Sequence, residues 1–158
     1  MSIYEYLHKD HEEIKSLMGE IKNLGPSHYD IEKQDYLFNI LKKKLIIHSD
    51  AEEKSFYNPL KSYVKTKEDV EHGIEEHEEA ETLLRELTDE ALNGAAWHQK
   101  FLKLKEAVEH HIEEEEQDVF EGAKKVLSPE AEQKMEAEMK SLKHQLGSER
   151  DIDERHTV

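Results

Sequence analysis

The chain has 158 residues, of which 38% are charged and 35% hydrophobic, and it carries a formal net charge of -16 with no cysteine. That length suffices for one domain with a narrow core, and the missing thiols exclude disulfide staples, thiolate metal sites and a cysteine nucleophile. The acidity argues against nucleic acid, whose phosphates such a surface repels. The longest clean aliphatic run, Leu45-Ile46-Ile47, is far too short to span a bilayer, and no charged-then-apolar leader opens the chain, so a cytoplasmic protein without a membrane partner is expected.

In chain order, Ser2 and Glu5 have capping-box spacing and open a first helix, along which Tyr4, Leu7, Ile14, Met18 and Ile21 recur with a period near 3.6. Gly25-Pro26 ends it. A second helix is expected from about Asp30 to about Asn58, where Pro59 must end or kink it. Thr66 and Asp69 mark the start of a third, and Asn93-Gly94 its stop. The fourth carries Trp97, Phe101, Leu104, Val108, Val119 and Val126. Ser128-Pro129 reads as the N-cap and first-turn proline of a fifth, weakly amphipathic helix that packs outside and ends near Gly147. No strand pattern competes. The predicted fold is all-α, an antiparallel up-down-up-down four-helix bundle over 1–127 with an accessory helix over 128–147 and a flexible polar tail over 148–158.

The histidines are informative only by the face they occupy. In the fourth helix the apolar beats fall at 104, 108 and 119, and His111 and Glu115 fill the missing ones, whereas His110 is rotated nearly opposite and Glu116 toward the edge. The second helix runs Leu37, Leu41, Leu45, then His48, Glu52 and Phe56. The third runs Val70, Ile74, His77 and Leu84, and in the first His11 stands between Leu7 and Ile14. A lone inward histidine is ordinarily a hydrogen-bonded core residue, and one His-x-x-x-Glu pair an ordinary side-chain contact. Four imidazoles and two carboxylates converging on one apolar seam are costly without a partner, and a metal ion supplies it. His28, His98, His144 and His156 are expected to be solvated, with His8 and His72 near enough to a seam to support the ligands from behind.

Imidazole and carboxylate donors suit iron, manganese or zinc better than calcium or magnesium. Six ligands exceed one tetrahedral zinc, and two carboxylates able to bridge suggest two metals. The di-iron bundles of the ferritin type use Glu-x-x-His pairs, of which the chain has one at the fringe, Glu5 with His8.

The stretches "HKDHEEI", "HSDAEEKSFYNPL", "EEHEEAETLL" and "HHIEEEEQDVF", in that order over residues 3–125, resemble the hemerythrin-like (HHE cation-binding) family. The resemblance implies a four-helix bundle around a non-haem di-iron centre, with His11, His48, His77 and His111 as terminal ligands. It implies Glu52 and Glu115 as bridges, together with an oxo or hydroxo group. The oxygen-carrying members bear two histidines four apart on the third helix, where this chain has Gly73 before His77, and a carboxylate five residues after the last histidine, here Glu116. The bacterial-type pattern fits better. The open ligand position is either vacant beside Gly73 or taken by another residue, such as Glu81 or a tyrosine, and Gly73 itself is either a close-packing residue or the edge of a hollow for an exogenous ligand. The functions left standing are binding or sensing of oxygen, nitric oxide or peroxide, turnover of peroxide or nitric oxide, iron storage or donation, and a helical module stapled by its metal.

Overall fold

In the computed structural model the backbone is described for residues 1–26 and 30–156, and the side chains of these as far as Gly147. His28 and the ring of His156 therefore lie outside the described residues. Helix α1 spans Ile3–Leu24, and the Ser2 hydroxyl accepts the Glu5 N–H at 3.1 Å as its cap. Helix α2 spans Ile31–Glu52 and passes through a π-helical turn, Glu53–Tyr57, into the short α3, Asn58–Leu60. Helix α4 spans Val64–Thr88 and α5 spans Gly94–Glu114. A second π-helical turn, Glu115–Val119, continues α5 into α6, Phe120–Val126, and α7 spans Pro129–His156. No strand occurs among the described residues.

Late α1 and early α2 share one apolar cluster through Met18, Ile21, Leu37 and Phe38, and late α4 joins early α5 in it through Leu84, Leu87, Trp97 and Phe101. Helices joined by short connections and packed end to start are antiparallel. The Trp97 indole N–H donates to the Leu87 carbonyl at 2.9 Å and ties that corner. A second cluster, with Ile3, Leu7, Phe56, Tyr57, Val70, Val119 and Phe120, fills the opposite half. The polar layer lies between the two. Among the described residues no helix is long and apolar enough to cross a membrane.

Several boundaries differ from expectation. Thr66 does not start α4: it is buried, its hydroxyl donates to the Leu60 carbonyl at 2.6 Å, and the helix begins at Val64. Asn93-Gly94 opens α5 rather than closing α4, Gly94 taking a positive φ of 58° there. The helix that contains Pro59 runs only one residue beyond it, to Leu60, and so stops about where the sequence predicts, with the widened π turn just upstream. The second π turn contains no proline. What the two turns share is an inward glutamate at their start, Glu52 just before one and Glu115 first in the other; such turns recur at functional sites.

Ser128 caps α7 as expected, accepting the Ala131 N–H at 3.1 Å. The helix runs past Gly147 to His156, and whether 148–158 includes a polar tail lies beyond the described side chains. It packs on α1, α2 and the first π turn, and it is more than an outer layer: Met135 and Met139 are buried in the second cluster, and Glu132 accepts the Tyr4 hydroxyl at 2.6 Å.

Candidate metal centre

The predicted stripes are the buried faces. His11, His48, Glu52, His77, His111 and Glu115 are all buried and meet at one level of the bundle. His110, one residue from His111, is 62% exposed, and Glu116 stays at the edge. Each glutamate stands between two histidines. Glu52 Oε2 is 3.4 Å from His48 Nε2, and its Oε1 is 3.2 Å from His77 Nε2. Glu115 Oε1 is 3.3 Å from His11 Nε2, and its Oε2 is 3.3 Å from His111 Nε2. The rings pair the same way, with His11 and His48 5.1 Å apart and His77 and His111 4.6 Å apart.

Behind the histidines runs a closed ring of carboxylates. His48 Nδ1 donates to Asp10 at 2.9 Å, His77 Nδ1 to Glu53 at 2.8 Å, His111 Nδ1 to Glu76 at 2.9 Å and His11 Nδ1 to Glu116 at 2.7 Å. Each helix thus orients the histidine of the next, from α1 to α2 to α4 to α5 and back to α1. An ionised carboxylate only accepts, so every Nδ1 carries hydrogen and every Nε2 is the inward atom. That is the arrangement in which a second layer fixes tautomer and ring direction for metal binding. His8 Nδ1 also bonds Glu116, at 2.8 Å, and His72 Nε2 lies 3.5 Å from Glu76, so both expected supporting histidines touch the ring. The ring carboxylates themselves were missed in the sequence. The available signal was that Asp10, Glu53, Glu76 and Glu116 each adjoin a candidate ligand in the chain. One residue along a helix is about 100° around it, which turns such a neighbour toward the adjacent helix.

The centre is polar beyond what the protein satisfies. His11 Nε2, both Glu52 oxygens, His77 Nε2 and Glu115 Oε1 are buried without a hydrogen-bond partner among the described residues. Burial opposes a charge on His11, but Glu115, Glu116 and Glu52 outweigh it and raise the ring to about 10. Burial likewise opposes His111, which Glu115, Glu76 and Glu52 raise to about 10. Burial works against ionised Glu115 too, yet His11 and His111 hold it well below the usual carboxylate range. Without metal, the charged forms of His11 and His111 are thus favoured at the Nε2 atoms where a cation would sit. Two ligands each about 2.1 Å from one ion lie roughly 3.0 to 3.4 Å apart for coordination angles between octahedral and tetrahedral, which is the spacing of these Nε2 and carboxylate atoms. The donor set and its orphaned atoms fit metal.

Tyr57 completes the His77/His111 side. It is fully buried, its hydroxyl donates to Glu115 Oε2, and its oxygen lies 3.4 Å from His111 Nε2. Burial, then Glu115 and Glu52, push the phenol well above its ordinary value, so it keeps its proton. A Cβ at Gly73 would stand 3.0 Å from the Tyr57 oxygen and 3.1 Å from Cε2, and the glycine also lines the open cavity that reaches His111 and Glu115. Gly73 is a close-packing residue that admits the phenol. Glu81 is exposed and pairs with Arg85 at 3.7 Å, away from the centre. His98 is half-buried rather than solvated, its Nδ1 enclosed and without a partner among the described residues.

Among the cavities that adjoin the layer, two reach His111. One of about 20 Å³ touches all four histidines and is otherwise walled mainly by Ile14, Leu45, Val108 and Ile112. The other, about 250 Å³ and open to solvent, has His111 and Glu115 at its floor and Glu68, Asp69, Glu114 and Asp118 around it, with no basic lysine or arginine in its wall. Burial, then Asp118 and Glu68, push Asp69 above its usual value.

The fold and this layer define an all-α bundle with a buried imidazole and carboxylate cation site. The family model of the hemerythrin HHE cation binding domain matches residues 2–123, and the chain belongs to that family. No curated protein and no solved structure matches the chain.

Proposed function

We propose that the protein holds two irons in this layer and binds a small ligand there, oxygen, nitric oxide or peroxide. The observation that carries the reading is the shared pair of glutamates. Each presents one oxygen to the His11/His48 side and the other to the His77/His111 side, as two cations bridged by two carboxylates require. His11 and His48 would hold one ion, His77 and His111 the other, with the Tyr57 oxygen beside the second. Nitrogen and carboxylate donors suit iron, with manganese or zinc as competitors. The iron pair would supply redox change and Lewis acidity when bound.

The protein's own part is selection and orientation. A space of about 20 Å³ against all four histidines admits something the size of one water or one diatomic molecule. The ring of carboxylates keeps the Nε2 atoms inward. Tyr57 favours a catalytic version of the same reading, because its O–H is a proton donor held at the centre.

Iron analysis with optical titration by azide and by nitric oxide tests the proposal. The expected result is about two irons per chain and a spectrum that changes saturably with either probe. Fewer than two irons, or a spectrum indifferent to both, contradicts it. Steady consumption of peroxide or nitric oxide, against stoichiometric binding alone, separates the catalytic version.

A further inference from the structure

Helix α7 lies outside the residues matched by the family, yet it reaches the metal layer. Lys143 Nζ is 2.6 Å from Asp10 Oδ1 and 2.8 Å from Oδ2, and Asp10 Oδ2 is the acceptor for His48 Nδ1. The approach is set by the packing of α7. Its buried seam carries Met135 and Met139 into the second apolar cluster, and Lys143 falls one turn further on the same face. The ammonium also stands 4.8 Å over the Tyr6 ring.

The four ring carboxylates are not alike. Side-chain exposure is 31% for Glu53, 24% for Glu116, 12% for Glu76 and 7% for Asp10. A carboxylate at the rim keeps its place with help from water, whereas an enclosed one needs a fixed counter-charge. Asp10 is both the most enclosed of the four and the one that α7 reaches with a lysine.

We propose that Lys143 is a positioning residue through which α7 sets the His11/His48 half of the centre: it clamps both oxygens of Asp10, and Asp10 fixes the ring of His48. The inference rests on the di-iron reading above. It assigns α7 a role in the centre that packing alone would not give, and it confines that role to one ion.

The test is stepwise titration of the full chain with ferrous iron alone, for the parent, Lys143→Met, Lys143→Arg and Lys140→Met. Lys140 pairs with Glu136 at 2.9 Å on the same helix and serves as the control. Removing a group that orients a ligand lowers metal affinity about 10-fold or more. The expected result is that Lys143→Met weakens one of two iron equivalents about tenfold and leaves the other unchanged, that Lys143→Arg restores it, and that Lys140→Met has no effect. In the zinc-loaded chain the Nδ1 proton resonance of His48 should move, while those of His11, His77 and His111 stay. Lys143→Gln, which keeps a hydrogen-bond donor without the charge, replaces the Met variant if that one does not fold. Unchanged or tighter binding of both equivalents, equal loss of both, or a lower melting temperature with both affinities intact overturns the proposal and makes Lys143 a clamp for α7 only. A parent that binds fewer than two irons overturns the di-iron reading and this inference with it, and is seen before any variant is made.

Discussion

On the His11/His48 side the polar layer is closed. The His11 ring stacks toward Phe120 at 6.5 Å, Asp10 is enclosed behind His48, and Lys143 of α7 seals it. On the His77/His111 side the same kind of ligand pair meets a phenol, a glycine and an acidic cavity open to water. Both sides share Glu52 and Glu115, so the difference does not lie in the donors. It lies in what stands behind them, and it assigns the two sides different work. On the proposed reading the closed side would hold an ion, and the open side would admit the cation and exchange a ligand.

The largest effect should come from the shared carboxylates. Glu52→Ala removes a donor from both sides, so the variant is expected to lose both metals. His48→Ala and His77→Ala each strip one side and should each keep about one metal per chain. Metal analysis of the three proteins decides, and a Glu52 variant that retains one metal would show that the sides are independent.

Next comes the contribution of metal to the fold. Chelation should lower the melting temperature by about 5 to 10 °C, the order given by about 3 kcal/mol of ligand stabilisation in a chain of this size. The gap should widen with pH. His11 and His111 rise from an ordinary 6.5 to about 10 in the metal-free bundle. A raised pKa stabilises fully below the unfolded value and is lost as pH climbs toward the folded one. The metal-free protein therefore loses that contribution from about 6.5 to about 10, over the range where protons cease to compete with metal for Nε2. Melting curves with and without chelator at pH 6 and pH 9 check this, and a gap that narrows at high pH contradicts it.

The smaller effects belong to the open side. Tyr57→Phe should keep both metals and lose about 10²-fold of any peroxide turnover, since it removes the proton donor. Gly73→Ala should act in the same direction and more weakly, by pushing the ring off Glu115, with a packing cost of about 1 to 3 kcal/mol. If both variants bind azide and turn over peroxide as the parent does, ligand exchange does not occur on this side.

How far this was legible in the sequence follows from which interactions are local. The stripes are local, so the missing beats at His111 and Glu115, and the continuation of Leu45 into His48 and Glu52, placed all six inward residues and the bundle that holds them. The carboxylate ring is not local. Asp10 reaching His48 depends on the register of α1 against α2, which no single helix encodes. A tyrosine stood among the candidates for the open ligand position, but that it would be Tyr57 was hidden for another reason. An unbroken α-helix puts Phe56 on the stripe and Tyr57 about 100° away, but the π turn at Glu53–Tyr57 brings both inside. Gly73 read either as a close-packing residue or as the edge of a hollow, and it is both, packed on Tyr57 and lining the open cavity beside His111 and Glu115. The reach of Lys143 was equally hidden, because α7 read as a weakly amphipathic outer helix.

The central claim is a pair of ions bridged by Glu52 and Glu115, with ligand exchange on one side only. Anomalous diffraction from crystals of the iron-loaded chain soaked in azide tests it most directly. Two peaks are predicted, one among His11, His48 and the glutamates and one among His77, His111 and the glutamates, with azide density beside the second and none at the first. A single peak, azide on the His11/His48 ion, or iron confined to His72, Glu76 and Glu114 at the mouth of the acidic cavity would contradict it.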